Sequence, residues 1–304
     1  MTVLENFIGR LKVGEAIAFN GLVIKPVFIE TDFALPFLTL EEALEKEYLE
    51  ITEKSEDGHV PELLVKNVGD LDVIILEGEE LRGAKQNRIV NTTIIVPAGA
   101  EIVVPVSCVE QGRWHYTSRR FSAGENVLYS SLRKKSHSSV TKNLRAFKAH
   151  RSDQSEIWSD IKSKAERLSV QSETDAMSDI QFALATPEAE KDLFEGIQHQ
   201  EKQIGFLAFI NGGFAGGDVF GSSELCRKQM KKLLRGYYLD AVDEGAEFPK
   251  VEASEILEQI SNARQEQFST IGKGTELRFE TDKVQGAWKL VDENVSHLTV
   301  FPKE

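Results

Sequence analysis

Between Glu77 and Arg88 the chain sets three carboxylates, Glu77, Glu79 and Glu80, beside three cations, Arg82, Lys85 and Arg88. Apolar runs at 71–76 and 89–96 bracket them. A loop held between strands can aim polar groups at a ligand from a rigid base. Two carboxylates on one side of such a loop would split their acidities or hold a divalent ion such as Mg2+. Arg82 and Arg88 carry the donor fork that fits a phosphate or a carboxylate. The plainer reading of the same residues is a solvated hairpin loop whose ions pair with one another.

A second cluster follows at 108–115, where Cys108, Glu110, Arg113 and His115 offer a thiol, a carboxylate, a guanidinium and an imidazole. Glu110 and Arg113 are the candidates to face a ligand. Cys108 would act as a nucleophile only with His115 or Arg113 beside it to favour the thiolate. Against that stands the ordinary fate of a cysteine in an apolar strand, which is core packing. A third cluster is the glycine-rich stretch from Asn211 to Gly221, which leads to Ser222 at a helix start, where free amides can hold a phosphate. Its spacing is neither the dinucleotide fingerprint nor a Walker loop. A hairpin and a capped helix explain it without a ligand, and Asp218 would repel an anion there. The six histidines show no zinc spacing, so no metal site is assigned to them.

The elements that must hold these groups are mostly strands. Asn20-Gly21 and Asn211-Gly212 suit tight hairpin turns. Pro26 and Pro105 lie inside strand-like runs, which implies an edge or a bulge at each. The run at 89–96, the Pro97-Ala98-Gly99-Ala100 turn and the run at 101–109 read as a hairpin. A turn is expected near Asp57-Gly58, and strands at 276–280, 287–291 and 296–301. Thr39 with Glu42 forms a capping box, Thr186-Pro187 opens one helix and Ser222 or Ser223 another that runs to about Ala241. The serine-containing stretch at 130–141 reads as a mobile loop. Strands at both ends, with helices grouped in the middle and C-terminal half, give an α+β class with antiparallel or mixed sheets. The chain is expected to be a single domain over 1–304, with a β-rich part at 1–135 and a helical-plus-hairpin part at 136–304 as the subdivision.

Composition bounds the function. The 304 residues carry a net charge of −13, with 41% hydrophobic and 28% charged residues. That fits a folded soluble chain and disfavours bulk attraction to nucleic acid or anionic lipid. No run approaches the length of a membrane span, and the first residues lack a secretory pattern. Two distant cysteines suit a reducing compartment, so a cytoplasmic location is expected. One stretch departs from the acidic average, because 113–151 holds ten Lys or Arg residues against the single acid Glu125. Such a belt points to an anionic ligand or an acidic surface. The basic helix at 227–235 reads as a solvated face.

The segment from Glu77 to Arg88, followed by Pro97-Ala98-Gly99 and by 105–114, resembles the ADP-ribosylglycohydrolase and rhodanese-phosphatase-superfamily-associated protein domain. Asp218 to Ser222 and Leu233 to Ala241 resemble its later motifs, and the likeness runs from about Gly14 to the C-terminus. The resemblance implies a role near NAD or ADP-ribose metabolism and transfers no catalytic residue. The leading expectation is binding or processing of a phosphorylated, nucleotide-like small molecule. Its walls would be Glu77, Glu79, Glu80, Arg82, Lys85 and Arg88 on one side and Glu110 and Arg113 on the other. The alternative is a noncatalytic interaction protein whose basic belt docks on an acidic partner or on a second copy.

Overall fold

The computed structural model describes residues 3–33, 36–55, 61–184, 186–243, 245 and 247–303. The turn expected at Asp57-Gly58 lies outside the described residues. The chain begins with α1 (Val3–Gly9), β1 (Lys12–Val13), β2 (Ile17–Phe19), β3 (Leu22–Phe28), β4 (Leu38–Thr39) and α2 (Leu40–Glu45). Then come β5 (Leu49–Glu53), β6 (Glu62–Asn67), β7 (Val73–Ile75), β8 (Glu79–Gly83), β9 (Arg88–Val90), β10 (Ile94–Val96), β11 (Glu101–Cys108) and β12 (Phe121–Val127). Four helices follow: α3 (Ser130–Phe147), α4 (Gln154–Arg167), α5 (Met177–Leu184) and α6 (Pro187–Gly196). The chain closes with β13 (Gln203–Ile210), β14 (Gly213–Phe220), α7 (Ser223–Ala241), α8 (Ala253–Asn262), β15 (Gln265–Phe268), β16 (Thr275–Glu280), β17 (Val284–Val291) and β18 (Asn294–Pro302). The class is α+β, with hairpins from both ends of the chain and helices α3 to α8 in its middle and C-terminal half.

Two compact units divide these elements: 1–35 with 187–269 and 274–304, and 36–186 with 270–273. The units interleave along the sequence, and a cut after residue 135 would pass through α3. In the first unit, N- and C-terminal hairpins join one antiparallel sheet in the order β1-β3-β13-β14-β18-β17-β16-β15, with β2 also paired to β3. Its tight turns follow from residue type. Asn20 and Gly21 have φ of 44° and 80°, and Asn211 and Gly212 have 50° and 80°, the doubly positive pair that twists two strands into register. Pro26 is tolerated inside β3 because the neighbour on one side is broken. There β2 pairs with Leu22–Ile24 and β1 with Val27 and Phe28, so on that side proline interrupts no continuous ladder.

Gly205 is a close-approach glycine of β13. A Cβ there would lie 2.4 Å from the Asp218 carbonyl oxygen and 2.6 Å from Val219 Cα, both backbone atoms that cannot step aside. Gly205→Ala should therefore cost about 2–3 kcal/mol of stability, measurable by denaturant unfolding.

The second unit contains a six-stranded sheet, β12-β8-β9-β11-β6-β5, and a three-stranded one, β10-β7-β4, in which β4 and β7 run parallel. The hairpin expected from 89–96 and 101–109 is only half formed. After β9 the chain leaves the sheet at Asn91, whose Nδ2 donates to the His150 carbonyl (3.0 Å), and β10 joins the other sheet while β9 pairs with β11. Pro105 sits where β11 exchanges its pairing with β6 for pairing with β9. Leu49, Ile51, Leu63, Val65, Leu81, Val90, Val104, Val106 and Phe121 fill one face of the larger sheet and share a core with Val73, Ile75, Ile94 and Val96. Thr39 caps α2 through both halves of its box: Glu42 N–H donates to Thr39 Oγ1 (3.3 Å), and Thr39 N–H donates to Glu42 Oε2 (3.0 Å).

The stretch expected as a mobile loop at 130–141 is instead the first two-thirds of α3. Its buried residues include Leu132, Val140 and Leu144 but also Ser130, Arg133, Ser136, His137 and Thr141. The helix therefore buries a polar face, and an apolar stripe at helical spacing never becomes visible in the sequence.

Candidate functional site beside the β8–β9 hairpin

The charged residues at 77–88 do not form a loop. Glu79–Gly83 is strand β8, Arg88 opens β9, and the pleat sends successive side chains to opposite faces. Glu79 and Leu81 point inward with Arg88 and Cys108, as the register pairs Leu81↔Arg88↔Cys108 require. Glu80 and Arg82 point to the opposite face, where Glu80 is also buried, and Arg82 Nε donates to Glu80 Oε2 at 2.8 Å. Burial pushes the Glu80 carboxyl above its ordinary value against the charge and hydrogen bond of Arg82, and the nearby Glu110 charge adds to the rise.

Glu110 and Arg113 form a clasp around the β8–β9 turn. Arg113 donates from Nε to Glu110 Oε1 (2.9 Å) and from Nη2 to Oε2 (2.7 Å). The same guanidinium reaches the carbonyls of Ala84 (2.8 Å), His115 (3.2 Å) and Gly83 (3.3 Å), and Asn87 Oδ1 (3.1 Å). Glu110 accepts further from the Asn87 N–H (3.0 Å) and the Thr174 hydroxyl (3.0 Å). Burial alone would raise this carboxyl, but the Arg113 and Asn87 bonds and the Arg113 charge overcome it and hold the group below its ordinary range. Every donor nitrogen of Arg113 is thus engaged within the protein.

Glu77 and Glu79 belong to the other end of β8. The Glu77 carboxylate lies 3.0 and 3.1 Å from His137 Nδ1, and Arg133 Nε donates to the Glu77 carbonyl (3.1 Å). Glu79 accepts the Leu76 N–H at 2.7 Å, and its burial lifts the carboxyl to about 8. The basic belt at 113–151 is partly internal, with Arg119, Arg120, Lys142, Arg145, Lys148 and Arg151 exposed. Arg113 and Arg133 are buried, Lys135 pairs with Asp160, and Arg120 Nε lies 3.1 Å from Glu50 Oε1.

Arg88 is different. It is fully buried, and Nη1 donates to Gln86 Oε1 (2.8 Å) and to Cys108 Sγ. Nε and Nη2 have no hydrogen-bond partner among the described residues, nor has either carboxylate oxygen of Glu53, although Nη2 lies 3.7 Å from Glu53 Oε1. Strands β5 and β9 are three places apart in the sheet, and the two long side chains reach across β6 and β11 to meet. Beside Arg88 stand Trp114 and Tyr116, 47% and 46% exposed. Arg88 Cζ is 5.7 Å from the Trp114 ring centre, and Lys85 Nζ lies 5.4 Å from Trp114 and 5.1 Å from Tyr116. Cys108 is a packed thiol. Burial pushes it up to about 11, and the Gln154 side chain bonds both its backbone N–H and its carbonyl (2.7 Å each). That leaves no thiolate for nucleophilic work at neutral pH.

A family profile described as ARG and Rhodanese-Phosphatase-superfamily-associated Protein domain matches residues 10–301. The chain belongs to that family. No curated protein and no solved structure matches it. The family match spans the whole β8–β9 hairpin, the clasp and the Trp114 ledge, so the arrangement lies inside the shared domain.

Sequence reasoning missed Glu53 in this family member. The inward alternation of Leu49 and Ile51 was the available signal, since it places Glu53 on the same face. It also missed a buried group in the first unit, where Asp218 lies 3.0 Å from His297 Nε2 and accepts from Tyr237 OH at 3.1 Å. At the start of α7 the Ser223 N–H donates to Asp32 Oδ2 (2.8 Å) and Ser222 Oγ accepts the Leu225 N–H, so those amides already have acceptors. Among the described residues no group of three or more His, Cys, Asp or Glu is placed to hold a metal ion, and no helix is long and apolar enough to cross a membrane.

Proposed function

We propose that this protein binds a phosphorylated, nucleotide-like small molecule beside the β8–β9 hairpin, in keeping with the ADP-ribose context of its family. The observation that carries the reading is the pair of half-exposed rings, Trp114 and Tyr116, with Lys85 between them and the inward Arg88 behind. An aromatic face accepts a base by stacking, and a flexible ammonium beside it suits a phosphate. Lys85 and Arg88 are the two sequence candidates that serve this ligand directly. Glu80, Arg82, Glu110 and Arg113 hold the hairpin that presents them, and Glu77 and Glu79 anchor its far end.

Titration calorimetry with ADP-ribose, NAD and ADP should show saturable binding of at least one of them. Trp114→Ala should weaken that binding about tenfold, the worth of one stacked base, with little change in melting temperature because the ring is half exposed. Absence of heat for all three ligands at millimolar concentration would overturn the reading.

A further inference from the structure

We infer that Glu53 and Arg88 form a hydroxyl-reading subsite, which takes the vicinal diol of the sugar ring joined to the stacked base. This rests on the nucleotide-like reading above and adds to it the chemical group that is recognised.

The two side chains face each other on the same side of the sheet, both nearly or wholly buried: Arg88 is 0% exposed and the Glu53 side chain 3%. They are close enough to attract but not to bond, with Nη2 to Oε1 at 3.7 Å. Arg88 therefore presents an unused donor edge, Nε and Nη2, and Glu53 an unused acceptor edge, both oxygens. Leaving such groups buried and unbonded is costly, and the cost is greatest for charged ones. The rest of Arg88 is pinned by Gln86 and Cys108, so the guanidinium is held in this orientation.

A donor edge facing an acceptor edge defines the complement. A hydroxyl meets both, because its O–H donates to the carboxylate while its oxygen accepts from the guanidinium. A phosphate satisfies only the Arg88 edge and is repelled by Glu53. An ammonium satisfies only Glu53 and is repelled by Arg88. With two acceptor oxygens on one side and two donor nitrogens on the other, the fitting ligand group is a pair of adjacent hydroxyls. Arg88 Cζ lies over the Trp114 ring, 5.7 Å from its centre, so the pair adjoins the ring that would take the base.

The test compares ADP with 2′,3′-dideoxy-ADP, which share base and diphosphate and differ only in the diol. Calorimetry on the full chain should give ADP at least tenfold tighter binding. In Glu53→Gln the ADP affinity should fall to the dideoxy level while dideoxy-ADP affinity stays unchanged, with folding checked by thermal melting. Equal affinity of the unaltered protein for the two nucleotides would overturn the diol assignment and leave the stacking and phosphate reading standing. Binding of neither would overturn both. The ligand comparison on the unaltered protein decides the matter even where the Glu53 variant fails to fold.

Discussion

Arg113→Met should destabilise the second unit by about 3–5 kcal/mol, the usual cost of breaking a buried ion pair from one side. For a unit of this size that corresponds to a fall in melting temperature of about 10 °C. The loss comes from several sources at once. Glu110 would remain buried with its charge uncompensated, and the carbonyls of Ala84, Gly83 and His115 would each lose a donor. The sign of the pH dependence separates this cause from a simple packing defect. In the unaltered protein Glu110 is held below its ordinary value, so its stabilising contribution is present above that value and is lost as pH falls through the folded one. In Arg113→Met the unpaired carboxyl would prefer to be protonated, so the deficit should shrink as the solution is acidified. Adding Glu110→Gln should recover part of the loss, because the amide oxygen still accepts from Asn87 and Thr174. A Met variant as stable as the parent at neutral pH would show that the clasp is surface decoration.

The fold was legible where local chemistry decides it. Asn-Gly pairs force doubly positive turns, Thr39 with Glu42 closes a capping box, and Pro187 starts a helix in its preferred first turn. Helix α3 was hidden because what it buries is Arg133, Ser136, His137 and Thr141 alongside three aliphatic residues, a pattern that composition assigns to a loop. The site was half legible. The charged run at 77–88 announced itself, yet one continuous stretch of sequence became two faces once β8 formed, because a pleated strand separates Glu79 from Glu80. Glu53 could not be found by proximity in sequence. It reaches Arg88 because the registers of β5, β6, β11 and β9 put both residues on one face, where two long side chains close to 3.7 Å. Charge read along the chain also does not say which cations lie inside, since Arg113 and Arg133 are buried while Arg119, Lys142, Arg145 and Arg151 of the same belt are exposed.

Glu79→Gln should make the protein more stable than its parent in mildly alkaline solution, by an amount that grows with pH. Glu79 is fully buried, and burial raises its carboxyl to about 8 in the folded state, against the opposing Leu76 N–H bond and the Arg133 charge. A carboxyl so raised prefers its proton when folded. Its favourable contribution is therefore complete below its ordinary value near 4.5 and is lost steadily as pH rises to about 8. The limiting slope is about 1.4 kcal/mol per pH unit. Glutamine keeps an acceptor for the Leu76 N–H and carries no charge at any pH, so the slope should vanish. The difference between variant and parent should be small near pH 4.5 and reach roughly 2–4 kcal/mol at pH 8.5. Two buried lysines of the first unit act with the opposite sign. Burial lowers Lys232 to about 7 and Lys289 to about 8, so their contributions are lost as pH falls through those values. Absolute stability therefore mixes opposing slopes, and the parent-minus-variant difference across pH 4.5–8.5 isolates Glu79. A difference that stays flat over that range would mean that Glu79 is ionised in the fold and that its environment is far more polar than its burial implies.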